Sequence, residues 1–129
     1  MTMALCFNCG EIKFGAICAC PKCKVSSTGD MRLDIGFSDH HYKVETLKEF
    51  GGVIRAIHAA SDDPATRFGA FIHYVSENHS SILKVDLAPE MKAKVTDALR
   101  GVALPSVTLR ESAIHRYHRY RAREPNDDA

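Results

Sequence analysis

The sequence has no tryptophan, no cysteine after residue 23, no long hydrophobic run and no excess of either charge. Nowhere does it approach the ~20 consecutive apolar residues that cross a bilayer, and its first residues lack the basic and apolar regions of a secretion signal. Because 17 Lys and Arg residues balance 16 Asp and Glu residues, the net charge of +1 provides no bulk attraction to nucleic acid or anionic lipid. A length of 129 residues suits one domain, or one with a small appendage, and excludes a large multidomain enzyme. We therefore expect a soluble, cytoplasmic protein with no membrane contacts.

The five cysteines are confined to the stretch from Cys6 to Cys23. A secreted disulfide scaffold would distribute its crosslinks along the chain, so this crowding favours a local metal site. Two C-x-x-C units, Cys6 with Cys9 and Cys20 with Cys23, are separated by ten residues. In each unit a tight turn directs both thiolates at one ion, and four thiolates at tetrahedral positions favour Zn²⁺, although iron fits the same geometry. The pattern predicts one structural zinc ion with these four cysteines as its ligands.

The segment between the two C-x-x-C units, residues 11–19, has the length of a small hairpin. Its few apolar residues, Ile12, Phe14 and Ile17, cannot form a core by themselves. Metal binding is therefore expected to supply most of the folding energy, since structural zinc supplies ~10 kcal/mol or more in small peptides. A complete set of four cysteines leaves no open coordination position for an activated water, which argues against catalytic zinc.

At these residues the sequence resembles the short zinc-ribbon family. The family pattern is a C-x-x-C-G turn, or knuckle, then ten residues to the next cysteine, and then a second knuckle of the form C-P-x-C. The match covers about residues 5–24, includes Gly15 and Ala16 ahead of the second knuckle, and departs at Lys24, where the family usually has glycine. The resemblance implies a zinc-binding fold that serves as a structural module in very different proteins, and it implies little about activity. The departure affects the turn of the second knuckle and not the four ligands.

Cys18 is the fifth cysteine and forms a C-x-C pair with Cys20. It could replace Cys20 as a ligand, or lie beside the site as an additional thiol, and the family spacing favours Cys20. A redox role would require exposure and a lowered pKa, which the sequence does not show. We interpret Cys18 as a small residue packed near the metal.

Beyond the ribbon, the spacing of apolar residues indicates a mainly helical domain. The alternation of Met31, Leu33, Ile35 and Phe37 with polar or small residues predicts a strand over residues 31–37. A second segment, residues 81–87, alternates less regularly and is predicted to be a short strand or an extended link.

Four further segments carry helical signals. Thr46 and Glu49 form a potential capping box for the first helix, and Pro64 after an acidic cap begins the second. Thr108 and Glu111 form a potential capping box for the last helix. The four predicted helices begin near residues 46, 64, 89 and 108.

Together these patterns predict an α+β fold that is mostly α. We expect a zinc ribbon with four cysteine ligands at residues 1–29 and a small, mainly helical domain at residues 30–123. That domain should contain four helices and one or two short strands. Residues 124–129 are predicted to form an acidic disordered tail.

The C-terminal segment contains a doubled His-Arg-Tyr triplet, and the stretch from Arg110 to Arg123 contains five Arg residues and one Glu. On a helix these arginines and tyrosines form adjacent stripes, which would neutralise phosphates and stack on bases, or bind a partner protein. The alternative is an ordinary terminal helix with tyrosines in the core and arginines in solvent, and the acidic tail opposes attraction to phosphate. The candidate binding residues are Arg116, Arg119, Tyr120 and Arg123.

Two histidine pairs, His40 with His41 and His115 with His118, are candidates for a second metal site. Adjacent residues of an extended chain point in different directions, and the second pair lacks a nearby carboxylate, so we interpret all four as surface histidines. The sequence contains no phosphate-binding loop, dinucleotide fingerprint, nucleophile elbow or zinc-protease motif. We therefore do not expect an enzyme.

The sequence supports three functional hypotheses. The first is a non-enzymatic zinc-binding protein that acts as a macromolecular interaction module, with a protein partner preferred, as in an adaptor, inhibitor or immunity-type protein. The second is a nucleic-acid-binding regulator that combines the ribbon lysines with the segment from Arg110 to Arg123. The third is an enzyme with a site near His40 and His41. The ribbon lysines are Lys13, Lys22 and Lys24.

Overall fold

The computed structural model describes residues 2–25 and 31–112. Its elements in chain order are β1 (Met3–Leu5), β2 (Ile12–Phe14), α1 (Met31–Gly36), α2 (Val44–Ala60), α3 (Pro64–Asn78) and α4 (Pro89–Ala98). The fold class is α+β and mostly α, as the sequence predicts.

The described residues divide into two compact units. The first unit contains residues 2–25, 31–51 and 107–112, and the second contains Gly52–Ser106. Helix α2 begins in the first unit and ends in the second. The predicted ribbon therefore shares its unit with parts of the predicted helical domain. The predicted boundary after residue 29 and the predicted acidic tail at 124–129 lie outside the described residues.

Strand β1 has partners on both of its edges. One edge pairs antiparallel with β2. On the other edge, the Leu5 N–H donates to the Phe37 carbonyl (N···O 3.0 Å), and the Asp39 N–H donates to the Met3 carbonyl (N···O 2.8 Å). These bonds attach the residues that follow α1 to the ribbon.

The prediction of a strand over residues 31–37 is wrong, because Met31–Gly36 form helix α1. Apolar residues at alternate positions also stand four apart, as Leu33 and Phe37 do, so a stretch this short fits either structure. The Phe37 N–H donates to the Leu33 carbonyl (N···O 3.1 Å), which continues the helical bonding. Asp34, which a strand would place on the polar face, is only 2% exposed. Phe37, the last of the four alternating apolar residues, follows the helix, and its carbonyl accepts the hydrogen bond from Leu5 of β1.

The core of the first unit contains side chains from the ribbon, from the segment after α1 and from α2. Phe37 is 1% exposed and packs edge-on against Phe50 of α2, with 5.1 Å between the ring centroids. Phe37 also contacts Phe7 of the first knuckle, with 5.3 Å between the ring centroids. Leu5 and Leu47 are buried as well. Phe37 therefore connects a cysteine-containing loop to α2.

Residues 107–112 bond to the first turns of α2. The Thr46 hydroxyl donates to the Thr108 carbonyl (O···O 2.7 Å) and accepts from the Arg110 N–H (N···O 2.9 Å). The Glu49 carboxylate accepts bonds from the Thr108 N–H and the Arg110 guanidinium. The capping role predicted for Thr46 and Glu49 is therefore wrong: these side chains bind a distant backbone segment, and α2 begins two residues before Thr46.

The predicted start of a helix at Thr108 is also wrong. Residues 107–112 contain no helix, and Glu111 forms an antiparallel bridge with Tyr42 instead of closing a capping box. The Ser112 N–H continues this pairing by donating to the His41 carbonyl (N···O 3.0 Å). The remainder of the predicted helix lies outside the described residues.

Replacing Thr46 with valine should lower the free energy of unfolding of the first unit. Valine keeps the shape of the buried side chain but leaves the Arg110 N–H and the Thr108 carbonyl without this partner, which costs roughly 2 kcal/mol. Thr46→Ser retains the hydroxyl and should lose less than half as much. Urea denaturation of the two variants measures the difference, and an equal loss in both would contradict the role of the hydroxyl.

In the second unit, α3 begins as the sequence predicts. Pro64 is its first residue, and the Asp63 carboxylate caps it by accepting a bond from the Thr66 N–H (N···O 3.1 Å). Helix α3 packs against α4, and Gly69 permits the close approach, because a Cβ there would lie 3.0 Å from the Met91 sulfur.

The two other predictions for the second unit are confirmed in part. Helix α4 spans Pro89–Ala98 and begins at its predicted position. Residues 81–87 contain no strand: residues 81 and 82 belong to a turn, and residues 83–87 form a link without regular structure. The Ser76 hydroxyl holds this link by bonding to both the N–H (3.0 Å) and the carbonyl (3.2 Å) of Val85.

The second unit should lose stability as the pH falls below about 6.5, the ordinary pKa of histidine. Burial lowers the pKa of His58, with a further contribution from the Arg67 charge, and burial also lowers the pKa of His79. The unfolded chain therefore takes up protons first, and stability is lost as the pH falls through the lowered pKa values. Urea midpoints at pH 7.5 and 5.5 measure this loss. A His58→Gln, His79→Gln double variant should show a smaller loss, and an unchanged pH dependence would contradict the assignment.

Candidate metal centre

Two knuckles with the same backbone bonding hold the four cysteines. In the first knuckle, the Gly10 N–H donates to the Cys6 carbonyl (N···O 2.9 Å), and the Cys6 N–H donates to the Glu11 carbonyl (2.8 Å). In the second knuckle, the N–H of residue 24 donates to the carbonyl of residue 20 (2.8 Å), and the N–H of residue 20 donates to the carbonyl of residue 25 (3.0 Å). Each C-x-x-C sequence therefore forms one closed turn whose two thiols lie on the same side.

Both turns end with a residue in the left-handed region of backbone conformation. Gly10 has φ 81° and Lys24 has φ 68°. Glycine adopts this conformation without strain, whereas a side chain at Cβ makes it unfavourable by roughly 1 kcal/mol. The zinc-ribbon resemblance places glycine at the position of Lys24, and the structure shows why glycine suits it.

Replacing Lys24 with glycine should raise the free energy of unfolding of the metal-loaded first unit by up to about 1 kcal/mol. The reason is that glycine adopts the left-handed backbone conformation of residue 24 without strain. Lys24→Ala is the matched control, because alanine removes the charge and keeps the Cβ. Thermal denaturation distinguishes relief of backbone strain from loss of the lysine charge. A gain in stability in both variants would assign the effect to the charge and contradict the backbone account.

The four thiols converge on one point. The Cys6 and Cys23 sulfurs lie 3.6 Å apart, the Cys9 and Cys20 sulfurs lie 3.7 Å apart, and all four sulfurs lie within 4.8 Å of one another. A tetrahedral ion with metal–sulfur bonds of about 2.3 Å has sulfur–sulfur distances of roughly 3.8 Å. The four cysteines are therefore arranged to coordinate a single metal ion. Cys6 and Cys20 are buried, and the other two are half-buried.

Burial raises the thiol pKa values, and hydrogen bonds lower the pKa of one of them. Burial raises the pKa of Cys6 and raises that of Cys9 to about 12. Burial also opposes ionisation of Cys23, but hydrogen bonds from the Asn8 side chain, from a backbone N–H and from the neighbouring thiols lower its pKa to about 6. A metal ion must displace the protons of Cys6 and Cys9, so metal affinity falls as the pH is lowered.

Cys18 is not part of this group. Its side chain is exposed, whereas Cys20 is buried among the other ligands, so the structure selects Cys20 from the two alternatives for the third ligand. The exposed position also differs from the interpretation of Cys18 as a packed residue.

The ribbon lysines do not share one surface. Lys13 is buried, and Lys22 forms an ion pair with Glu11 (N···O 2.8 Å). Lys24 is exposed at the end of the second knuckle. The described part of the ribbon therefore offers little free positive charge to nucleic acid. The other candidate binding residues, Arg116, Arg119, Tyr120 and Arg123, lie outside the described residues.

The histidine candidates do not form a second metal site in the described part of the chain. His40 is exposed, and its Nε2 lies 3.4 Å from the Thr2 hydroxyl. His41 is half-buried beside Tyr42. Within residues 2–25 and 31–112, the four cysteines are the one group of three or more potential ligands that converge. The pair His115 and His118 lies outside these ranges.

The ribbon has an exposed apolar surface that sequence reasoning missed. Phe14 is 59% exposed, Ile17 is 55% exposed and Val25 is 44% exposed. We name these three residues the ribbon apolar patch. The only sign of this exposure in the sequence was that the hairpin contains too few apolar residues to cover one another.

The outer edge of β2 lies next to the same patch. The bonds from the Gly15 N–H to the Thr2 carbonyl and from the Cys6 N–H to the Glu11 carbonyl fix which residues face β1. In an antiparallel ladder, residues that hydrogen-bond to the partner strand alternate with residues that do not. Residues 11 and 15 face β1, so the backbone N–H and C=O groups of residues 12 and 14 point away from it. An edge of this kind accepts an added strand.

Comparison with family models, with curated proteins and with solved structures finds no match to this chain. In the described ranges, no helix has the length and apolar character needed to span a membrane.

Proposed function

We propose that this chain is a non-enzymatic zinc-binding protein of the zinc-ribbon type that binds a protein partner. The convergence of four cysteine sulfurs at the spacing of a single tetrahedral ion carries the proposal. The ion would be held by Cys6, Cys9, Cys20 and Cys23.

Two properties favour zinc over iron: the complete shell of four thiolates and the absence of redox chemistry at zinc. Four thiolates complete a tetrahedral shell, which suits a structural ion and leaves no position for substrate or activated water. Zinc also has no redox chemistry, so it stabilises a fold without generating reactive states. Thiols kept reduced for metal binding fit a cytoplasmic location.

The ribbon apolar patch supports a protein partner. Its three large apolar side chains are exposed within a short stretch of sequence, and exposed apolar surface that is contiguous marks protein-binding sites. Among the described residues the outer edge of β2 has no paired strand; it includes Phe14 of this patch and would provide backbone hydrogen bonds to an extended segment of the partner. The acidic and basic side chains nearby, Glu11 and Lys22, neutralise each other and add no preference for phosphate.

The proposed partner surface is tested by affinity purification of the tagged full-length protein from its own cells. The wild type should retain a stoichiometric protein after nuclease treatment, and a Phe14→Ser, Ile17→Ser variant should lose it. Phe68→Ser is the matched control, because Phe68 is an exposed aromatic residue of the second unit. Retention of the companion by the double variant, or loss of all companions on nuclease treatment, would contradict the proposal. The latter outcome would favour a nucleic-acid surface that includes Arg116, Arg119, Tyr120 and Arg123.

A further inference from the structure

Lys13 is buried in the ribbon, although apolar side chains close to it in sequence are exposed. Only 2% of its surface is accessible. Lysine is seldom buried to this extent unless its charge has a partner. The Lys13 ammonium donates to the Cys18 carbonyl (N···O 2.8 Å), which uses one of its three N–H groups. A neutral carbonyl does not balance the charge.

No carboxylate in the described part of the chain forms an ion pair with Lys13. The acidic residue closest in sequence, Glu11, pairs with Lys22. Three further ion pairs involve arginines of α3, of the 107–112 segment and of the turn after α4. A buried ammonium without a carboxylate partner requires negative charge from another source.

The position of Lys13 indicates the cysteine ligands as that source. Lys13 lies opposite Ala4 in the β1–β2 register, and alternation along the strand places Ala4 and Cys6 on the same face. The carbonyl that Lys13 binds belongs to Cys18, two residues before the ligand Cys20. Lys13 therefore shares a face of the hairpin with Cys6, and its hydrogen bond ends two residues before Cys20. Four thiolates around one divalent ion leave roughly two units of net negative charge in this small volume.

We propose that Lys13 balances the negative charge of the metal–thiolate centre and positions the second knuckle through the Cys18 carbonyl. The inference rests on the proposed metal site and assigns that site a further residue. Lys13 is not a ligand, since an ammonium group has no lone pair, and it acts through its charge and its hydrogen bond. The burial of a lysine in so small a module follows from the presence of a buried anion beside it.

The first test is titration of the full-length protein with Co²⁺, followed through the thiolate-to-cobalt absorption bands. Lys13→Met keeps the length of the side chain and removes its charge, and it should weaken Co²⁺ affinity roughly 10- to 100-fold, as is typical when an outer-shell partner of a metal ligand is lost. Lys22→Met is the matched control and should change the affinity less than about threefold, because Lys22 is exposed and its charge is screened by water. At saturating Co²⁺ the spectra confirm that each variant still forms the four-thiolate site.

The second test separates charge from position by using iron as a probe in the same site. Reduction of Fe³⁺ to Fe²⁺ by one electron from an electrode adds one negative charge to the centre, so a nearby positive charge raises the reduction potential. The potential should be lower in Lys13→Met and in Lys13→Gln than in the wild type, although glutamine retains a hydrogen-bond donor. Lys22→Met should match the wild type.

The two tests together decide whether Lys13 acts through its charge. Weaker Co²⁺ binding together with lower iron potentials in both Lys13 variants supports the proposal. Unchanged Co²⁺ affinity in Lys13→Met, or an unchanged iron potential in Lys13→Gln, overturns the charge-balancing role while leaving the metal site intact. Failure of the wild type to bind Co²⁺ through thiolates would overturn the metal site itself, and this inference with it.

Discussion

Replacement of Cys9 by serine, or of Cys20 by serine, should abolish stoichiometric metal binding and unfold the ribbon. Each change removes one of four ligands, and a hydroxyl does not replace a thiolate toward zinc at neutral pH. The ribbon strands have only three residues each, so metal binding supplies most of the folding energy, ~10 kcal/mol or more in small zinc peptides. Metal content of the purified variants and far-UV circular dichroism with and without a chelator provide the measurement.

Cys18→Ser is the matched control for this prediction. Cys18 is two residues from Cys20, is equally able to bind zinc and is exposed outside the sulfur cluster. The Cys18→Ser variant should retain one metal ion per chain and the thermal unfolding midpoint of the wild type. The second unit contains no cysteine, so α3 and α4 should persist in every variant. Full metal content in Cys9→Ser or Cys20→Ser, or metal loss in Cys18→Ser, would contradict the ligand assignment.

Replacement of Phe37 by alanine should lower the free energy of unfolding of the first unit by roughly 3–5 kcal/mol. Phe37 is buried between rings of the first knuckle and of α2, and the change leaves a cavity that these rings cannot fill. A loss of this size is a large fraction of the stability of a small domain. Because Phe7 lies in the first knuckle, the same change should also weaken metal binding.

Urea denaturation of the zinc-loaded protein measures the loss for Phe37→Ala. Phe68→Ala is the control, since Phe68 is 40% exposed and lies in the second unit, so its truncation should leave the stability of the first unit unchanged. Equal losses in the two variants would contradict the role of Phe37 as a core residue. A stable Phe37→Ala variant with unchanged Co²⁺ affinity would contradict its connection to the metal centre.

The metal centre was predictable from the sequence because it depends on local spacing. A C-x-x-C unit forms a closed turn within five residues, so the positions of Cys6 and Cys9, and of Cys20 and Cys23, follow from neighbouring residues alone. The strain at Lys24 was also visible, as a departure from the glycine of the resembling family. The burial of Lys13 was not visible in the sequence, because it depends on the pairing of β2 with β1 and on the folding of Cys18 back onto this strand.

The helical predictions succeeded where the signal was local and failed where it depended on distant partners. Asp63 and Pro64 start α3 through contacts within one turn, and the structure confirms them. Thr46 and Glu49 have the spacing of a capping box, but the backbone of residues 108–110 takes their hydrogen bonds. The strand predicted over 31–37 failed because alternation over so few residues also fits a helical turn.

The measurement that tests the central claim most directly is X-ray absorption spectroscopy at the zinc edge on the protein purified from its own cells. The account predicts one zinc ion per chain, with four sulfur neighbours at about 2.3 Å and no nitrogen or oxygen in the first coordination shell. A shell containing nitrogen or oxygen, or an ion other than zinc at the site, would contradict it.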